Sequence, residues 1–195
     1  GDPLWDFHPA NFAQPGGAEL YAYDVDGDGD SDVITSLSAH DFGLAWHEQI
    51  QVDGEISFRP HLIMGSKPEQ NPYGLHFSEL HSVALADMDG DGLKDIVTGK
   101  TYYSHHEQST DWDAGAVVYW FGLQRTAAGG VNWVPHLADA DAGIGRQIVV
   151  SDVNADGRAD IVVGGMKGCS VLLHKTVATD AAGWKAAQPK RRKAD

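Results

Sequence analysis

The chain is expected to fold as an all-β protein made of propeller blades, and three observations predict this. An aspartate-rich nonapeptide recurs as DVDGDGDSD from Asp24, DMDGDGLKD from Asp87 and DVNADGRAD from Asp152, with starts 63 and 65 residues apart. Each copy is preceded by an apolar or alternating run (AELYAY, HSVALA, RQIVVS) and followed by a β-branched one (VITSL, IVTGK, IVVGG), the pattern of a tight loop between two strands. No convincing amphipathic helix lies between the copies, so four short antiparallel strands fill each repeat of about 65 residues.

The elements follow in order. LWDFHPA near the start is similar to ISFRPHLI and VNWVPHLA, so residues 4–9 are expected to be a fourth strand of a blade whose first three strands are absent. The first blade, about 18–63, adds GLAWHEQ and ISFRPHLI to its first two strands. The second, about 80–138, adds AVVYWFGL and VNWVPHLA. The third, about 146–188, adds CSVLLHK and a weaker strand candidate, AAGWKAAQ, with Trp184 where Phe58 and Trp133 stand in the other blades. Residues 1–178 are then a three-blade propeller segment, and 189–195 a basic C-terminal tail. Closed propellers hold typically ~4–8 blades. Three blades are therefore expected to be part of a larger ring, completed as a homodimer or by the remaining blades of a longer chain.

Composition narrows the partners. With 195 residues, 42% of them hydrophobic, the chain can bury a sizeable core. A formal net charge of -14 repels nucleic acid and anionic membrane and favours cations. Lys190, Arg191, Arg192 and Lys193 form a basic run expected to be solvated and disordered. Cys169, alone in an apolar run, is expected to be a buried structural thiol. No stretch approaches the ~20 apolar residues of a membrane span, so no membrane insertion is expected, and no secretory signal stands at the start.

The repeated loops read as cation sites. Counting from the first aspartate, side-chain oxygens fall at positions 1, 3, 5 and 9: Asp24, Asp26, Asp28 and Asp32; Asp87, Asp89, Asp91 and Asp95; Asp152, Asn154, Asp156 and Asp160. Position 7 is Asp30, Leu93 or Arg158, as expected where only the backbone carbonyl is a ligand. Gly29, Gly92 and Gly157 at position 6 supply the sharp turn. Several hard oxygens with net negative charge suit Ca²⁺, which takes ~6–8 of them in flexible geometry. Three calcium sites are expected. An EF-hand needs a glutamate at position 12 and flanking helices, but position 12 is Thr35, Thr98 or Val163 and the flanks are strand-like.

These residues make the chain resemble the FG-GAP and VCBS repeat families, whose blades are similar to those of the integrin α-subunit propeller. In such blades a D-x-D-x-D-G-x-x-D loop between the first two strands holds calcium, and the twelve oxygen-bearing positions above match it. The likeness runs from about Ala18 to Lys175; TSL, TGK and VGG stand where FG-GAP proteins have Gly-Ala-Pro, which brings the chain nearer the looser VCBS type. The resemblance implies a secreted, periplasmic or cell-surface protein of bacterial type in which calcium is structural.

Function is then expected on the face opposite the calcium loops. In an up-and-down blade the 2–3 and 4–1 connections share that face. Here they are long and rich in histidine, acid and aromatic residues: His40 and Asp41; His76, Glu79 and His81; Tyr103, His105, His106 and Glu107. Imidazoles and carboxylates suit a transition metal, and aromatic rings stack on sugars. His61 and His136 recur at equivalent places, in RPHLI and VPHLA, which points to a structural role repeated in each blade. Two readings stay open: a calcium-stabilised module binding a protein or glycan, or the propeller part of a carbohydrate-active lyase, dehydratase or hydrolase working from the His/acid face. No Ser/His/Asp arrangement, phosphate loop or zinc motif is present.

Overall fold

The computed structural model describes residues 4–5, 7–14, 17, 19–103 and 107–193. The strands form three antiparallel sheets in chain order. The first holds β1 (Leu20–Tyr23), β2 (Asp32–Ser36), β3 (Leu44–Val52) and β4 (Glu55–Met64). The second holds β5 (Val83–Ala86), β6 (Asp95–Lys100), β7 (Val117–Arg125) and β8 (Val131–Asp139). The third holds β9 (Gln147–Ser151), β10 (Asp160–Gly165) and β11 (Gly168–Leu172). Every chain neighbour within a sheet is also its hydrogen-bonded neighbour, the meander of a propeller blade.

Hydrophobic pattern explains the packing. β6 is buried at every residue and β2 at all but one, so they read as β-branched runs rather than as strict alternation. The β3–β4 hairpin turns at Asp53 and Gly54, both with positive φ (52° and 84°), as a type I′ turn needs. A register shift sits at Leu44/Ala45 and again at Val118/Tyr119, so the bulge is a feature of the repeat. The cores lie between blades. Ile34, Trp46, Phe121 and Trp133 belong to one cluster, and Val97, Val118, Ile148 and Ile161 to the next. Isolated bridges from Phe42 to Ser78 and from Thr101 to Ile144 fasten successive blades on the side of the 2–3 and 4–1 loops.

The third blade departs from expectation. AAGWKAAQ is not its fourth strand: Ala181–Ala187 is a helix, α1. Alanine favours helix, and Asp180 caps the first turn by accepting the Gly183 amide at 2.7 Å. β11 therefore has an unpaired outer edge among the described residues. The described part of residues 4–9 forms no strand; Leu4, Trp5 and Phe7 are exposed. The basic run is docked rather than loose: the Arg192 amide donates to Pro72 O at 2.8 Å, its guanidinium pairs with Glu69 at 2.9 Å, and Arg191 donates to Asn132 at 2.7 Å. Cys169 is exposed, because its strand is the blade's open edge. No described helix is long and apolar enough to cross a membrane.

Candidate functional site

All three aspartate loops are strand connections, β1–β2, β5–β6 and β9–β10, and each is curled by hydrogen bonds from loop amides to its own carboxylates. Side-chain oxygens of the odd positions accept amides a few residues on. Asp24 takes Gly27 N at 2.6 Å, Asp87 takes Gly90 N at 2.7 Å, and Asp152 takes Gly157 N at 2.8 Å. Asp28, Asp91 and Asp156 each accept the amide of position 7, at 3.0, 2.8 and 3.0 Å. These Asx turns curl the chain so that its carboxylates face inward. Besides the glycine at position 6, position 4 lies in the left-handed region, with φ 91° at Gly27, 83° at Gly90 and 59° at Ala155. An alanine in that conformation is not signalled by its residue type.

The curl brings like charges together. Ligand atoms of Asp24, Asp26 and Asp28 lie within 4.8 Å of one another, as do those of Asp87, Asp89 and Asp95. Burial, then repulsion from Asp89 and Asp91, pushes Asp95 up to about 6 against the hydrogen bonds it accepts. Burial also raises Asp26 and Asp89, with neighbouring carboxylates adding to it. A cation relieves that repulsion, and the donor set, all hard oxygens on a preformed turn, fits calcium.

Position 9 has a second employment that its spacing did not reveal. Asp32 accepts Val25 N and Gln49 N, Asp95 accepts Met88 N and Leu123 N, and Asp160 accepts Val153 N and His174 N, at 2.8–2.9 Å. Each carboxylate thus stitches its loop to the third strand of the blade, or in blade three to His174, two residues past β11. In Asp160 these two amide bonds dominate and hold its carboxyl below the ordinary value. Position 7 side chains go elsewhere, as expected: Leu93 packs on the core and Arg158 pairs with Asp156 at 3.2 Å. Arg125, from β7, was not foreseen at the first loop. It pairs with Asp24 at 3.5 Å and donates to Val25 O and Asp24 O, a contact across 101 residues.

On the opposite face the His40 and His81 rings lie 4.8 Å apart, and His76 stacks on Phe42 at 6.3 Å. Tyr103 stacks on Trp112 at 5.4 Å. His81 and Tyr103 line a cavity of about 480 Å³ between blades two and three, shared with Arg146 and Cys169. Asp41 and Glu107 are exposed, while His105 and His106 lie outside the described residues. Glu79 corrects its expected role: it is fully buried with Lys100, Oε2 to Nζ 2.8 Å, so it is no ligand-facing group. Its backbone joins three segments, donating to Asp41 O at 2.9 Å and accepting from His81 N and Thr101 N. His61 and His136 lie flat on Trp46 and Trp120 at 4.3 and 4.1 Å, the same stack in two blades.

Residues 24–98 match the family model described as an FG-GAP-like repeat. Over 92 residues the chain is 35% identical to integrin alpha-6 of Gallus gallus, an alignment covering 47% of this chain and 8% of the integrin. The family match begins on the first aspartate loop and ends in β6, just past the second loop. Residues 24–98 therefore match an FG-GAP-like repeat, and they fold as antiparallel strands around acidic strand-connecting loops.

Proposed function

We propose that this chain is a calcium-stabilised segment of a β-propeller, spanning residues 1–178 as three blade units, and that it serves as a binding module at a cell surface or outside the cell. The observation that carries the reading is the convergence of two carboxylate triplets on equivalent loops, with ligand atoms within 4.8 Å. The likeness to an integrin, a name that belongs to the relative, supports the module and its location. Calcium holds each β1–β2-type connection in place, and the third loop, with Asn154 for an aspartate and Arg158 paired into it, binds most weakly.

The ligand, a protein or glycan, docks on the opposite face. His40, His81, Tyr103 and Trp112 there offer imidazoles and stacked rings beside a cavity of about 480 Å³, within the ~300–1,000 Å³ of ordinary ligand sites. Calorimetric titration of the chelator-treated protein with calcium tests the first part: two tighter sites and one weaker are expected, and no heat of binding up to millimolar calcium overturns it. A glycan array and a surface-protein display library, each screened with wild type and Tyr103→Ala, test the second. Ligands that bind both forms alike refute the face.

A further inference from the structure

We propose that the junction of blades one and two carries a docking site for a basic segment of a partner protein with two adjacent arginines, and that the chain's own Arg191 and Arg192 are its resident occupant. The contacts of that occupant define what the site recognises. The Arg192 amide donates to Pro72 O at 2.8 Å and its guanidinium to Glu69 at 2.9 Å. The Arg191 guanidinium donates to Asn132 Oδ1 at 2.7 Å and lies over the Tyr73 ring, 5.7 Å from its centroid. Glu69, Pro72 and Tyr73 belong to the β4–β5 connection and Asn132 to β8, so both blades hold the arginine pair.

The blades shape the site without help from the tail. Asn132 spends its amide nitrogen on Tyr73 Oη at 3.1 Å and Gln124 Oε1 at 3.0 Å, which leaves its oxygen as the acceptor. Tyr73 is set by the buried Asn71, whose side chain accepts the Tyr73 amide at 2.8 Å and donates to Ile63 O at 2.9 Å. Gly74, at φ 76°, offers bare backbone to the stem of Arg192: a Cβ there would stand 2.9 Å from its Cδ. The connection from Met64 to Val83 is far longer than its counterpart from Asp139 to Gln147, so the site is an addition to one repeat.

These contacts favour arginine over lysine. A guanidinium is planar, so one group covers the tyrosine ring and still donates to Asn132, whereas an ammonium has no face to stack. The amide bond to Pro72 excludes proline at the second position and brings the backbone itself against the site. Charge draws a basic segment in, because the chain carries a net -14 and its body is more acidic still once Lys190, Arg191, Arg192 and Lys193 are set aside. The Arg192 and Glu69 side chains are 34% and 65% exposed, so their pairing holds only weakly by itself. The tether supplies the rest, presenting the tail at an effective concentration of about millimolar. A partner with the same pair of arginines competes with the tail for one place.

The proposal depends neither on the calcium loops nor on the ligand of the opposite face. A fluorescein-labelled peptide with the sequence of Gln188–Lys193 is titrated, by anisotropy, with the full chain as wild type and as Arg191→Ala with Arg192→Ala, a change at two exposed positions that frees the site. The peptide is expected to saturate the double variant below about 1 mM and to bind the wild type roughly 10-fold more weakly. Lysine at both arginine positions of the peptide, which keeps its charge, is expected to weaken binding roughly 3- to 10-fold, and Glu69→Gln added to the double variant by about as much. No saturation of the double variant, the same affinity in the wild type, or the same affinity for the lysine peptide overturns the assignment. A wild-type dimer that the double variant abolishes while the peptide stays unbound overturns it too, and gives the site to the tail of a second copy.

Discussion

Asp95 does two things at once: it repels Asp89 and Asp91, and it holds two backbone amides, Met88 N and Leu123 N. Asp95→Ala should therefore destabilise the protein even without calcium, by about 2–4 kcal/mol from two buried amides left unpaired. Asp89→Ala should cost little in EDTA and show its effect only when calcium is added. Equal urea midpoints for the two variants in EDTA would remove the stitching role. Ala155, at φ 59°, occupies a place where the other loops have glycine, and Ala155→Gly should raise stability by about 1 kcal/mol, read from the same midpoints. Burial holds His47 and His136 below their ordinary 6.5. The unfolded chain thus takes up protons first as pH falls through 6.5, so their contribution is full above 6.5 and lost below it. From pH 7 towards pH 5 the wild type should lose melting temperature relative to His136→Gln, and identical slopes would refute this; without calcium the raised Asp95 works the other way in both forms, gaining stability as pH falls through about 6. At this level the sequence displayed the oxygen positions plainly, since charge crowding at fixed offsets has few explanations. It hid the stitches, because each one joins residues 7 to 28 apart that share no pattern.

Strands and loops were legible because each strand is short, β-branched and bounded by Asp/Gly clusters, and the first two blades agree with that reading strand by strand. The last element was not. Trp184 suggested a strand by position, but four alanines and a capping aspartate give a helix, and local propensity prevailed where no tertiary partner opposed it. The loop face was half legible. His40, His76, His81 and Tyr103 lie in the β2–β3, β4–β5 and β6–β7 connections, yet Glu79, expected among the ligand-binding residues there, is buried, because nothing in the sequence links it with Lys100, 21 residues later and buried at the end of β6. Breaking that pair strands a charge in the core. Lys100→Met should destabilise by about 3–5 kcal/mol, whereas Lys100→Met with Glu79→Leu should recover most of the loss. Thermal melts of the three forms decide it: no recovery in the double variant means that the pair's cost lies in packing alone.

Across the molecule, calcium and the open edge set behaviour in solution. With two sites filled at about 100-fold over their dissociation constants, calcium should add roughly 5 kcal/mol, a melting shift of roughly 10–20 °C that EDTA reverses. Identical melts in calcium and EDTA would sink the cation reading. Among the described residues the outer edge of β11 has no partner strand, and Val171 and Met166 are exposed beside it, so self-association is expected at micromolar concentration. Sedimentation as a 21.0 kDa monomer would show that this edge is tolerated. The docked tail changes how such an array comes apart. Stacked repeats ordinarily fray from whichever end is weakest, each unit melting nearly by itself. Here the chain leaves the incomplete third blade, passes through α1 and is fastened by Arg191 and Arg192 to Asn132, Pro72 and Glu69 near the first two blades. The weakest blade is thus enclosed in a loop whose ends are pinned, and peeling it away requires releasing the far clasp as well. The three blades should melt as one cooperative unit, with calorimetric and van't Hoff enthalpies in agreement, and cutting the chain after Gln188 should split that single transition into two.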